Sequence, residues 1–324
     1  MKKFIGIMLI LLLSLALLTG CGGEKSGSAT FRIASLKGPT TMGMVKLMSD
    51  SDAGNTSQDY EFNMYGTADE IVPQLVNGEI DVALVPCNLA GVLYNKTDGA
   101  VQIAAVNTLG VLYIVESGDT VQSIEDLRGK TIYSTGKGTT PEYVLQYLLK
   151  QNGIEPEKDI TIEYKSEPTE IAVMLADAEN TVAVLPQPYV TTVQMQNNKV
   201  RVALNMTEEW DKVSTDSGMV TGVVLVRKGF VTENPDAFAE FLEEYKASTE
   251  YTNENIEEAG ALIEKYGIVP KAAVAVKAIP SCNITYVDGK EMKTKVSGYL
   301  KVLFDANPQS IGGALPEDDF YYQR

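Results

Sequence analysis

The chain has no histidine, one tryptophan and three cysteines in 324 residues. The commonest general base and the commonest zinc ligand are therefore missing, and the case for metal-assisted or acid–base catalysis weakens accordingly. Carboxylates and lysines remain, but no catalytic dyad is visible, and neither a metal nor a cofactor is expected. Cys21, Cys87 and Cys282 contain no Cys-x-x-Cys spacing, so no zinc or dithiol motif is encoded. Positive charge is also scarce. Lys and Arg number 27 against 43 Asp and Glu, a formal net charge of −16. Nucleic acid is disfavoured as a partner, because a phosphate backbone needs a basic patch. Adsorption of the folded body to anionic lipid is disfavoured for the same reason.

Hydrophobic content of 44% and charged content of 22% are ordinary for a soluble globular chain. The length suits about two domains. Residues 1–20 read as a signal peptide: Lys2 and Lys3 form a positive n-region, and an uncharged apolar stretch runs from 4 to 18. That stretch is short for a membrane-spanning helix, which needs about 20 residues. It ends in Leu18-Thr19-Gly20-Cys21, which resembles a bacterial lipobox and implies a diacylglyceryl group on Cys21. Residues 21–29 then form a Gly/Ser-rich tether. The expected location is extracytoplasmic, lipid-anchored to the cell membrane.

An internal repeat organises the remainder. Residues 70–86, EIVPQLVNGEIDVALVP, align without a gap on residues 170–186, EIAVMLADAENTVAVLP, with seven identities in seventeen pairs. At the same offset of one hundred residues, Lys37-Gly38-Pro39-Thr40 lies over Lys137-Gly138-Thr139-Thr140. Each copy has the same order. A strand (31–36; 131–134) enters a Gly-containing loop, and a helix follows (41–48; 141–150). Then come a strand, a second helix (68–77; 169–178) and a buried strand (82–85; 182–185) stopped by Pro86 or Pro186. Alternating strands and helices predict parallel pairing with right-handed crossovers. The expected fold is α/β with two lobes, each a mixed sheet flanked by helices. Apolar strands at 110–115 and 222–226 are expected to form a two-strand hinge. Lobe one is expected over 30–115 and 221–324, with lobe two over 116–220. A helix capped by Asn234 with Pro235 at its first position, a second over about 253–266, and a loop-rich tail from 308 return the chain to lobe one.

In open α/β sheets, ligands bind outside the carboxyl ends of the strands. The repeat places Thr40 and Thr41 with Asn88 on one such edge, and Gly138, Thr139 and Thr140 with Gln187 and Tyr189 on the other. Thr140 reads as an N-cap before Pro141 and Glu142, and unpaired N–H groups at a helix start bind polar or anionic groups. Gly138 permits close backbone approach. Asn88 supplies donors and an acceptor, and Tyr189 a ring face and a hydroxyl. Thr108 and Thr221, just before the hinge strands, are weaker candidates. Each of these residues also has an ordinary structural role open to it, in capping, turns or packing. Lys37 and Lys137 read as solvated loop lysines or as partners of an anion. Cys87 and Cys282 read as buried thiols, with a disulfide as the alternative.

The lipobox, the hinge strands, the element DVALVPCNLAG (81–91), the loop and helix STGKGTTPEYVLQYLL (134–149) and the helical return resemble ABC-importer substrate-binding proteins. The group most similar is the nitrate/sulfonate/taurine and thiamine-precursor (pyrimidine) binding family in its Gram-positive lipoprotein form. That resemblance spans about 30–324. It implies a two-lobed type II periplasmic-binding-protein fold with a two-strand hinge, and a small-molecule ligand held between the lobes by a monomer and handed to a membrane permease driven by an ATPase. A sulfonate-like anion, a pyrimidine-like molecule and other small organic solutes all stay open. No arginine lies in the ligand-facing loops, and their Thr, Asn, Gln and Tyr fit a neutral or zwitterionic molecule at least as well. A sensor subunit presenting ligand to a receptor, or an enzyme on the same fold, are the alternative functions.

Overall fold

The computed structural model describes residues 29–177, 179–214 and 217–323. The expected leader, Cys21 and all of the tether except Ala29 lie outside these residues. β1 (Thr30–Leu36) leads into two short helices, Pro39–Met42 and Val45–Asp52, and then β2 (Asp59–Tyr65). The single helix expected over 41–48 is thus broken around Gly43. A Cβ there would stand 3.0 Å from Ile284 Cγ2 and 3.2 Å from Thr249 Oγ1, so glycine admits the close approach of a later helix. Helix Ala68–Val76 starts where Glu70 reaches back to the Thr67 backbone N–H at 3.2 Å, and β3 (Val82–Pro86) follows. Helix Cys87–Lys96, β4 (Val101–Leu109) and β5 (Leu112–Ser117) come next. The second copy of the repeat consists of β6 (Thr131–Ser134), helix Thr140–Gln151, β7 (Thr161–Tyr164), helix Pro168–Asp177 and β8 (Val182–Pro186). After helix Tyr189–Gln196 come β9 (Val200–Asn205), helix Met206–Val213 and β10 (Val220–Arg227). Helices Pro235–Glu254, Ile256–Lys265 and Ala272–Ala278 precede β11 (Ile284–Val287) and the last long helix, Gly289–Ala306. Asn234 does precede the first of these, but its side chain donates to Phe230 O at 3.1 Å and does not cap the helix.

Two mixed sheets result, each flanked by helices. Their orders are β11-β4-β10-β3-β1-β2 and β7-β6-β8-β5-β9. The repeat is explicit in the pairing. β1 lies parallel between β2 and β3, and β6 lies parallel between β7 and β8. Next to the third strand of each triplet lies an antiparallel strand, β10 on β3 and β5 on β8. One expectation needs correction here. The run 110–115 is expected in lobe one, but β5 pairs with β8 and β9 in the second sheet. The outward crossover is therefore at Gly110-Val111, between β4 and β5, and the return lies between helix Met206–Val213 and β10. An apolar strand looks the same in sequence whichever sheet it joins, so the periodicity could not place that boundary.

Buried ion pairs hold the ends of the sheets away from the cleft. Asp81, 1% exposed, accepts from Arg32 Nε at 2.8 Å and from a terminal guanidinium nitrogen of each of Arg32 and Arg227, at 2.7 and 2.5 Å. This joins β1, the start of β3 and the end of β10. Burial raises the Asp81 carboxyl, but the hydrogen bonds from Arg32 and Arg227 outweigh it and leave its pKa below the ordinary value. Glu116 in the second sheet is likewise raised by burial and lowered by more, through Thr120, the Val121 N–H and Arg201.

The apolar core is continuous between the lobes. Trp210, on the Met206–Val213 helix, lies with its ring centroid 4.6 Å from that of Tyr147 and 5.4 Å from that of Tyr299, on the Gly289–Ala306 helix. All three are buried, and Trp210 Nε1 donates to Ser217 O at 2.8 Å. The tail also returns to the core. Phe320 is fully buried, and the Tyr322 N–H donates to Ile103 O at 2.9 Å.

Candidate functional site

The carboxyl ends of β1, β3 and β4 and the start of β10 form one edge. The carboxyl ends of β6, β8 and β9 and the start of β5 form the other. These edges meet at the crossover, and the sequence-predicted residues lie along both.

Asn88 makes the clearest contact between them. It sits in the first turn of the Cys87–Lys96 helix, fully buried. Its Nδ2 donates to Ser310 O at 3.0 Å and, across the cleft, to Gly138 O at 3.4 Å. Its Oδ1 accepts from Thr140 Oγ1 at 3.3 Å. Asn88 is therefore no simple turn residue: it joins the lobes, with the C-terminal turn behind it. Tyr113 adds a second link, donating from β5 to Ser281 O at 3.2 Å. At the crossover itself, the Asn283 side chain donates to Gly110 O.

Other predicted residues are engaged within their own lobe. Thr40 Oγ1 donates to Leu36 O at 2.9 Å, and Thr41 Oγ1 bonds the same carbonyl and Ser35 Oγ. Both hydroxyls close the turn after β1. Gln187 Oε1 accepts from Thr191 N and Thr191 Oγ1 at 3.2 and 2.9 Å, and so caps the Tyr189–Gln196 helix. Tyr189 is half-buried against the second lobe's core, and its hydroxyl is raised by burial and by Glu167. Thr140 does not cap its helix as expected. It is the first helical residue, and Thr139 occupies the N-cap with its hydroxyl turned back to Gly136 O at 2.7 Å. The Gly138 N–H at that helix start is taken by the Glu142 carboxylate. Gly138 has φ +77°, the left-handed region that glycine tolerates best. Lys37 and Lys137 are exposed, and Lys137 Nζ lies 5.7 Å from the centre of the Tyr164 ring. Cys87 and Cys282 are free, buried thiols, and burial raises both.

Thr108 and Thr221 differ from these. Their hydroxyls are buried and unpaired, as are both amide atoms of Asn107 and the hydroxyl of Thr207 on the opposite edge. Asn107 and Thr207 were not singled out from sequence. Asn107 sits inside an apolar β-run and Thr207 at a helix start, so neither stood out. Gly222 fits here because nothing larger does: a Cβ would stand 2.5 Å from Asn107 Oδ1 and 2.7 Å from Thr40 Cγ2. Among the described residues no group of three Cys, Asp or Glu converges as a metal site, and no helix is long and apolar enough to cross a membrane.

Two mixed sheets with facing carboxyl edges and two crossovers have known counterparts. Residues 53–270 match the family of ABC-transporter periplasmic substrate-binding proteins named for phosphonate. The chain belongs to this family. It is thus the solute-binding component of an ABC importer, an extracytoplasmic part of the transport system. No curated protein matches it in sequence. Among solved structures, an ABC transporter from Parabacteroides distasonis is similar at TM-score 0.75 and 22% identity, over 91% of this chain and 99% of that one. The periplasmic aliphatic sulphonate binding protein SsuA from Escherichia coli is similar at TM-score 0.71 and 16% identity, over 91% and 92%. The periplasmic nitrate-binding protein NrtA from a Synechocystis strain is similar at 0.59 and 17%, over 79% and 69%. At these identities the structural likenesses establish the fold of this substrate-binding protein, not its ligand.

Proposed function

We propose that this substrate-binding protein captures a small organic solute between its two sheet edges. Asn88, Thr108 and Thr221 would contact it from one side, and Gly138, Thr140 and Tyr189 from the other. The protein works as a monomer held at the membrane by a lipid on Cys21, and passes the solute to a permease and its ATPase without transforming it. The observation that carries this reading is the bridge from Asn88 to Gly138 and Thr140. In this arrangement the two lobes stand within hydrogen-bonding reach of each other. A solute touching both edges therefore favours the closed form by its differential affinity for the two states.

The test is a thermal-shift screen of residues 22–324 against sulfonates, phosphonates, nitrate, pyrimidines, amino acids and vitamins. A specific solute at about 100 times its Kd stabilises the fold by about 2.7 kcal/mol. A shift from one chemical class supports capture and names the class. Silence across the panel, repeated on protein refolded to strip carried-over ligand, counts against it. Cys21→Ser should move the protein from the membrane fraction to the soluble fraction, and retention at the membrane would refute the anchor.

A further inference from the structure

Seven buried side-chain polar atoms lack a hydrogen-bond partner among the described residues, and five of them lie around the crossover: Asn107 Oδ1 and Nδ2, and the hydroxyls of Thr108, Thr221 and Thr207. The register of β4 on β10 explains how two of these residues reach that place. Val220 pairs with Leu109, Gly222 with Thr108 and Val223 with Val106. Thr221 is skipped on one strand and Asn107 on the other, so each is a bulge residue at the cleft end of its strand. Bulges re-aim side chains and are enriched beside binding sites. Asn107 is 1% exposed, and the Tyr245 hydroxyl lies beside it without hydrogen-bonding geometry. A buried amide with neither atom paired is strongly disfavoured unless something else supplies the partners.

The surroundings show what kind of partner fits. All four described arginines are paired at the far ends of the sheets: Arg32 and Arg227 with Asp81, Arg128 with Asp159, and Arg201 with Glu116. Three N–H groups at the helix starts on the second lobe's edge are already taken by acceptors of the chain itself: Glu142 at Gly138 N, Gln187 at Thr191 N and Asn205 at Thr207 N. No arginine is therefore available at this floor to neutralise an anion, and burying an uncompensated charge is costly. An amide offers one donor group and one acceptor side by side, and it matches a ligand edge with the same pair reversed.

Building on the capture reading above, we infer that Asn107 is a ligand-reading residue and that the solute presents an uncharged amide- or urea-type edge to it, flanked by the Thr108 and Thr221 hydroxyls. A phosphonate or sulfonate group does not bind at this floor. The experiment uses residues 22–324, wild type and Asn107→Leu, a replacement of similar volume. Uracil, nicotinamide and urea are titrated alongside methylphosphonate, ethanesulfonate and nitrate. The expected result is tightest binding from the uncharged set, weakened at least about tenfold by Asn107→Leu. The ligand-free variant should melt at or above the wild-type temperature, because an unpaired buried amide has been removed. Tightest binding by a phosphonate or sulfonate overturns the inference and leaves solute capture standing. A variant that melts lower and binds as well as wild type makes Asn107 structural and overturns it too. No binding by any compound counts against both readings.

Discussion

Gly110→Ala adds a methyl group at the turn where the chain leaves β4 for the second sheet. The new Cβ would stand 1.9 Å from Thr207 Oγ1, 3.0 Å from Thr207 Cβ and 3.2 Å from Thr207 Cγ2. Rotation of Thr207 about χ1 can move the γ atoms away but leaves its Cβ in place. The turn cannot retreat freely, since its carbonyl is held by the Asn283 side chain and the Leu109 N–H donates to Asn283 O at 3.1 Å. Overpacking of this kind costs about 1–3 kcal/mol. At this chain length, each kcal/mol lowers the melting temperature by about 2 °C, so the fall should be about 2–6 °C. Thr207→Ala removes both crowding γ atoms and a hydroxyl that has no partner, so by itself it should be nearly neutral. The double variant should recover most of the loss, with a coupling of about 1 kcal/mol or more. Calorimetry on ligand-free wild type, both single variants and the double variant measures this directly. If Gly110→Ala melts within about 1 °C of wild type, or if Thr207→Ala restores nothing, the close packing of the crossover against the second lobe is refuted.

Other perturbations test other parts of the structure. Asp81→Asn leaves two guanidinium groups without their counter-charge and should cost about 2–4 kcal/mol in urea unfolding, less than a fully buried pair because both arginines are partly solvated. Asp81 and Glu116 have pKa values lowered by folding, so their stabilisation is complete above the unfolded values near pH 4 and is lost as pH falls through the folded ones. Denaturant midpoints should therefore decline below about pH 4, and Asp81→Asn should flatten that decline. Asn88→Leu leaves Ser310 O and Thr140 Oγ1 without their partner, and solution scattering of the ligand-free protein should show a larger radius of gyration. An unchanged profile would mean that the bridge does not hold the lobes together. Trp210, the only tryptophan, is fully buried in the aromatic contact between the lobes, so acrylamide should quench it poorly in wild type and more strongly in Asn88→Leu.

The two-lobed fold was legible because the repeat carries its own register. Residues 70–86 fall in helix Ala68–Val76 and β3, and residues 170–186 in helix Pro168–Asp177 and β8, with Pro86 and Pro186 as the final strand residues. The lobe boundary was not legible, because Val111 to Val115 would suit either sheet and only hydrogen bonding decides between them. The break at Gly43 depends on Ile284 and Thr249, more than two hundred residues away, and no local pattern announces it. The return of Phe320 and Tyr322 to β4 is equally non-local. For the site, strand-end logic led to both edges and to Thr108 and Thr221. It could not tell hydroxyls that close local turns, such as those of Thr40 and Thr41, from hydroxyls left unpaired. Asn107 was hidden because a bulge is a property of two strands together, and neither strand reveals it alone.

The central claim is that one solute is held by both edges at once. Its most direct test is calorimetric titration of the best-binding solute into wild type, Thr221→Val from the first edge and Thr140→Val from the second. The account predicts one solute per chain and a loss of affinity in each variant of about 1–3 kcal/mol, roughly 5- to 150-fold, for the missing hydrogen bond. Full affinity in either variant, or a stoichiometry other than one, would contradict it.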